Sequence, residues 1–230
     1  MSRWARLIIL IGTAFALTAT PAAASTRSLG GNVEPALDPI APGSVAVVAS
    51  GAPERGVVPV IVQNATQRPV SRLRIRATAL DGDGDVVART TSRNVVPEVL
   101  EQDGLGLAQV DFRDPKLPLS VTYRFDVRAR RATRSHAQTL EPTSFRLSPP
   151  TEGPRAQALD VTLRNPSDER LRGPLRVAVM CFGESGRPVR FVGKAEPRSR
   201  IDADASITTT IDFRELCPAY LVGGTATRAR

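Results

Sequence analysis

The stretch "VIVQNATQRPVSRLRIRATALDGDGDVV" (residues 60–87) lies over "VTLRNPSDERLRGPLRVAVMCFGESGRPV" (161–189) with one inserted residue. Val58, Val60 and Val62 fall on Leu159, Val161 and Leu163, and Asn64 falls on Asn165. Past the insertion, Leu73, Ile75, Ala77 and Ala79 fall on Leu175, Val177, Val179 and Cys181. Further on, "VDFR" (110–113) falls on "IDFR" (211–214). Self-similarity at a period of about one hundred residues means that one folding unit occurs twice.

In each matched run the apolar residues alternate with period two, the pattern of a strand with one face against a core. Arg72, Arg74 and Arg76 occupy the face opposite Leu73, Ile75 and Ala77. Turn signals such as "NATQRP", "DGDG", "NPSDER" and "GESG" separate the runs, and no stretch carries a helical period. The expected fold is all-β: two tandem immunoglobulin-like antiparallel β-sandwiches following an N-terminal signal peptide. The boundaries expected are a signal peptide over 1–24, a flexible lead-in over 25–42, a first sandwich over 43–133, a linker over 134–141 and a second sandwich over 142–230.

The signal peptide is read from a basic start (Arg3, Arg6), a short apolar run from Leu7 to Leu17, and small residues at Ala22 and Ala24. The apolar run is short for a membrane span of roughly 20 residues, so cleavage after Ala24 is expected, and with it a secreted or periplasmic location. Losing Arg3 and Arg6 lowers the formal charge from +8 to +6. The basic groups are nearly all arginine, because Lys116 and Lys194 are the only lysines.

Asp81, Asp83 and Asp85 have the D-x-D-x-D spacing of a calcium loop. Such a loop needs a glycine at its sixth position and a bidentate glutamate at its twelfth. Val86 and Ser92 stand there instead, with Arg89 at the ninth, and the matching "FGESGRPV" keeps Gly186 while losing the carboxylate array. The shared feature is a glycine turn between strands, so a hairpin is expected. Asn64-Ala65-Thr66 fits the N-glycosylation pattern, but its counterpart Asn165-Pro166-Ser167 is barred by proline. Both asparagines therefore read as turn residues bonded to local backbone.

Cys181 and Cys217 both lie in the second copy, and in an exported protein they are expected to form a disulfide tying a middle strand to the last. The single histidine, His136, falls in the linker and supplies neither a multi-histidine metal site nor a base for a cysteine held in a disulfide. "GESG" places Ser185 in a turn without the spacing of a nucleophile elbow. Asp111 and Asp212 are the carboxylates a dispersed hydrolase site would use, yet they recur as strand residues of the repeat. No enzyme activity, metal or cofactor is expected.

Two surfaces stand out as contact candidates. Arg72, Arg74, Arg76, Arg124, Arg128, Arg130, Arg131 and Arg134 form a candidate anionic contact. Aromatic platforms for nucleic acid are not visible, so no specific nucleic-acid partner is expected. Val57, Pro59 and Ile61 make the outer face of one strand apolar, where the second copy has Ala158, Asp160 and Thr162. That face marks a contact between the two sandwiches or a surface for a partner, the alternative being an ordinary scattering of exposed apolar residues.

The paired strands ending in V-x-N or L-x-N, the glycine turn and the later "DF" resemble the FxLyD-like sandwich modules of exported bacterial proteins. "ATALD" (77–81) keeps the family's aspartate as Asp81 but has Ala77, Ala79 and Leu80 at its other motif positions, while "VMCFG" (179–183) keeps an aromatic as Phe182. The resemblance implies the sandwich fold more than a function; because no site of convergent polar residues is visible, the chain reads as a non-enzymatic exported protein that mediates protein interaction or structural assembly in the cell envelope, with another envelope or extracellular protein as partner. The alternative is a binder of anionic envelope polymers through the arginine cluster. Periplasmic pilus chaperones share the signal peptide, basic charge and paired domains, which adds a chaperone-like subunit binder as a lesser alternative; the tyrosine-arginine-proline feature near their domain junction is missing here. The membrane enters only through the signal peptide.

Overall fold

The structure, a computed structural model, describes residues 29–31, 34–113, 120–133, 135–148, 157–197, 199–213 and 217–228. The expected signal peptide lies outside the described residues, and so does Arg134. All regular structure in them is strand. The first copy supplies β2 (Val45–Ser50), β3 (Val57–Asn64), β4 (Val70–Leu80), β5 (Val86–Ser92), β6 (Val95–Val96), β7 (Val99–Leu100), β8 (Leu105–Asp111) and β9 (Thr122–Arg131), preceded by a short β1 (Leu29–Gly31). The second supplies β10 (Ala137–Ser148), β11 (Gln157–Arg164), β12 (Leu171–Phe182), β13 (Pro188–Glu196), β14 (Arg200–Ile201), β15 (Ser206–Phe213) and β16 (Ala219–Arg228).

Every pairing is antiparallel. In the first half the sheet β2-β3-β8-β6 faces the sheet β5-β4-β9, and β7 pairs with the start of β4. Alternation along β4 puts Leu73, Ile75, Ala77 and Ala79 into a core with Val58, Val60, Val62, Ala108 and Val110. The second half repeats this layout: β13-β12-β16 forms one layer and β11-β15 the other, around Leu159, Val161, Leu163, Val177, Val179 and Ile211. Strand β10 joins the layers, since Ala137 to Leu140 pair with β16 and Glu141 to Ser148 pair with β11. The segment read as a linker is therefore strand from Ala137, and Leu140 is fully buried in the second core. Its alternation was hidden by Pro142, where the register shifts.

Asn64 and Asn165 pin the two copies in the same way, and both are wholly buried. The Asn64 amide nitrogen donates to the carbonyls of Arg68 (2.9 Å), Leu100 (3.0 Å) and Glu101 (2.9 Å), and its oxygen accepts from the Thr66 amide (3.1 Å) and hydroxyl (2.6 Å). Asn165 donates to the carbonyls of Glu169 (2.8 Å) and Asp202 (2.9 Å) and accepts from the Ser167 amide (3.1 Å) and hydroxyl (2.7 Å). Each asparagine thus ties the turn after its strand to the crossover that leads into β8 or β15. Backbone groups of that turn and crossover, which no ladder satisfies, find their partners in one side chain. A buried amide engaged in this way also explains the N-x-T and N-P-S patterns as structural.

The three aspartates form a hairpin turn. The Asp81 carboxylate accepts the amides of Asp83 (3.1 Å) and Asp85 (2.9 Å), and Gly84 takes a φ of +87°. Gly183 and Gly186 build the same turn between β12 and β13, with a glycine where the capping Asp81 stands in the first copy. Cys181 and Cys217 are joined as a disulfide with Cα atoms 5.4 Å apart, linking β12 to the residue stretch just before β16.

A third core joins the halves. Val48, Ala49, Ile61, Val96, Leu105 and Leu107 of the first pack against Ala178, Met180, Phe182, Ala219 and Leu221 of the second. The lead-in expected to be flexible instead runs across this junction. β1 pairs with β16, the Ala36 amide donates to Gly186 O (2.9 Å), Asp38 meets Arg187 (3.2 Å), and Leu37 and Ile40 pack on the shared core. The segment lacks periodicity because it is a single strap with no repeating face.

Replacing Asn64 with Ala should cost about 2–4 kcal/mol in urea unfolding, because buried carbonyls lose their donor. Asn64→Asp should cost at least as much, since a carboxylate would face three carbonyl oxygens; equal stability of the aspartate variant and the wild type contradicts the pin. Reducing the Cys181–Cys217 bridge, which closes a loop of sequence separation 36, should lower stability by about 2–4 kcal/mol, read as a fall in Tm on adding reductant.

Candidate functional site

The apolar face foreseen at Val57, Pro59 and Ile61 is used inside the molecule. Ile61 is 0% exposed and belongs to the core between the halves, Pro59 is buried, and Val57 is half-buried. A Cβ placed on Gly51 would lie 2.0 Å from the carbonyl oxygen of Pro188, so the halves meet there with no room for a side chain. The face is a contact between the two sandwiches and is closed to an external partner. Ion pairs rim the junction: Arg176 with Glu98 (2.6 Å), Arg190 with Glu54 (3.3 Å) and Arg187 with Asp38.

What remains open is the outer face of β5-β4-β9. Exposed arginines alternate along β4 and β9, and the register sets Arg74 opposite Arg128, Arg76 opposite Asp126, and Thr78 between Arg124 and Arg89. A register shift between Ser71 and Arg74 turns Arg72 aside, with its φ at +51°, a conformation side chains rarely take. Arg72 then joins Arg130, Arg131 and Arg93 around a groove of about 570 Å³ beside His136 and Glu98. A second, shallower groove of about 1040 Å³ lies over Arg76, Arg89, Arg124 and Asp126 and reaches Val45 and Ala46 of β2.

Of the arginines expected to act together, the seven described ones are therefore contiguous but divided: Arg74, Arg76, Arg124 and Arg128 on the open face, Arg72, Arg130 and Arg131 at the groove. None of the seven makes an ion pair among the described residues. Several arginines elsewhere are matched, as with Arg164 on Glu141 (2.7 Å) and Arg170 on Asp202 (2.5 Å), while Arg146, Arg172 and Arg200 of the second half are exposed and make no ion pair among the described residues. The Glu141 carboxylate raises the Arg164 guanidinium above its ordinary value through that hydrogen bond. Arg89 and Arg93 belong to the same basic region and were missed in the sequence: Arg89 reaches it by pairing of β5 with β4, and Arg93, just past β5, by lining the groove with Arg72.

On the inner side of β9 the Tyr123 hydroxyl is buried with no hydrogen-bond partner among the described residues, and burial pushes its phenol up from the ordinary value. The candidate carboxylates of a hydrolase do not converge. Asp111 ends β8 in the first half, where its side chain accepts the Arg113 amide (2.7 Å), and Asp212 lies on β15 in the second half. Ser185 sits in the turn before β13. Among the described residues no group of three or more histidine, cysteine or carboxylate side chains is placed to hold a metal ion.

Comparison with known protein families found no match, and no curated protein matches the chain.

Proposed function

We propose that this is an exported, non-enzymatic binding protein, that its docking surface is the arginine face of β5-β4-β9, and that its partner is an anionic component of the cell envelope or its surroundings. The carrying observation is the run of exposed arginines with a single interspersed aspartate and no ion pair among the described residues. Like charges directly opposite across strands are destabilising. Arg74 faces Arg128 in this way, a cost that an anionic partner removes on binding. A signal-like N-terminus and a disulfide support export. The FxLyD-like motifs agree with a sandwich of exported proteins that works by contact. Closure of the apolar face against the second half shifts the reading from an apolar partner surface to the basic one.

The test compares two full-chain variants of equal net charge on polyanion columns, heparin and polyglutamate, eluted with rising salt. R74E/R76E/R128E removes the face, whereas R146E/R172E/R200E changes exposed arginines of the second half. The face variant should elute at clearly lower salt than wild type, and the control variant close to wild type. Equal shifts for the two variants mean that net charge alone governs retention, which contradicts a docking face.

A further inference from the structure

We infer that the open edge of β9 is a strand-addition site, and that it takes an extended acidic segment of a partner protein, paired antiparallel. This rests on the arginine face being the docking surface, and it names the partner's class.

The two copies carry the observation. Ala79 pairs with Tyr123 as Cys181 pairs with Tyr220, so Tyr123, Val127 and Ala129 of β9 are the counterparts of Tyr220, Gly224 and Ala226 of β16. In the second half those positions have partners on the side away from β12: Gly30 with Tyr220, Leu140 with Gly224, and Gln138 with Ala226. Two separate segments thus cover that edge, both antiparallel. In the first half β9 pairs with β4 alone among the described residues. The segment that would have covered it, the strap before β2, crosses to the second half instead.

The direction of the amides follows from one bond. Ala132 donates to Pro69 O (3.0 Å) on the β4 side. Amide direction alternates along a strand, so Tyr123, Phe125, Val127 and Ala129 present N–H and C=O groups to the open side. The Arg228 amide donates to His136 O (2.7 Å), which puts the even-numbered amides of β16 on its covered side, in agreement with the counterpart positions. Beyond the β9 edge a groove runs to Val45 and Ala46 of β2, which packs alongside β9 without pairing to it, so the edge groups of β9 are left unpaired by the nearest strand.

Charge selects the occupant. Arg124, Asp126, Arg128 and Arg130 occupy every second residue of β9, a spacing of about 6.6 Å, and three of the four are basic. An extended polypeptide with acidic residues at alternate positions has that same repeat, and its outward side chains fall beside these arginines. A second copy of this chain is disfavoured, because pairing two β9 edges would set arginine rows beside one another. Opposite Asp126 the incoming residue should be uncharged.

The probe is a synthetic peptide of threonines and valines alternating, in antiparallel order, with Glu beside Arg130, Glu beside Arg128, Thr beside Asp126 and Glu beside Arg124. Binding to the full chain is read by calorimetry, and amide exchange by NMR. The peptide should bind, slow the exchange of Tyr123, Phe125, Val127 and Ala129, and lose affinity when N-methylated at alternate residues in one parity but not in the other, by about tenfold or more. If R124E/R128E abolishes binding while both N-methylated peptides bind as the parent does, the arginine face stands and strand addition is overturned. If one N-methylated parity abolishes binding and R124E/R128E does not, an edge exists but the charge reading fails. No peptide binding, with heparin still held by the face, assigns the surface to anionic polysaccharide and overturns the inference.

Discussion

The arrangement depends on one contact, the apolar layer between the outer faces of the two sandwiches. Ile61 and Leu107 on one side meet Met180, Phe182 and Leu221 on the other, all at 1% exposure or less. Each large side chain moved out of water contributes about 1.5–3 kcal/mol. Exposed ion pairs such as those around Glu98, Glu54 and Asp38 contribute about 0–1 kcal/mol each, so the apolar layer holds the halves and the rim sets their register. The strap from Glu34 onward, with Leu37 and Ile40 on the same layer, follows from it. So does the bare glycine at Gly51 against Pro188.

That contact also decides what the molecule can offer. A sandwich has two outer faces, and in the first half the face carrying β3 and β8 is spent on the second half. The remaining sheet is the one with the arginines, left without carboxylate partners among the described residues. The copies have kept the asparagine pin and the glycine turn, which any unit of this kind needs, and have diverged at the surface. One carries the disulfide and a covered last strand, the other an open last strand and the basic face.

Much of this was legible in the chain. Alternation from Val58 to Val62 and from Leu73 to Ala79 gave the strands and their inward faces, and the repeat converted three aspartates into a turn. The bond pattern of Asn64 was foreseeable only in part, because Leu100 and Glu101 reach it from a crossover distant in sequence. Val57, Pro59 and Ile61 signalled a contact without its partner. The matching signal was present in "VAVMCF" (177–182), a strand apolar on both faces, which is expected of a strand buried on both sides. The strap was illegible because a single crossing has no period, and the basic face was only half visible, since Arg89 joins it through pairing with β4 and Arg93, just past the end of β5, through the groove.

Residual dipolar couplings of backbone amides, measured in one alignment medium for residues 45–131 and 157–228, test the central claim most directly. If the apolar layer makes one body, a single alignment tensor fits both sets with the halves oriented as described and the arginine sheet turned outward. Tensors of different magnitude or direction for the two sets mean that the halves move independently, leave the Ile61 face open to a partner, and contradict the account.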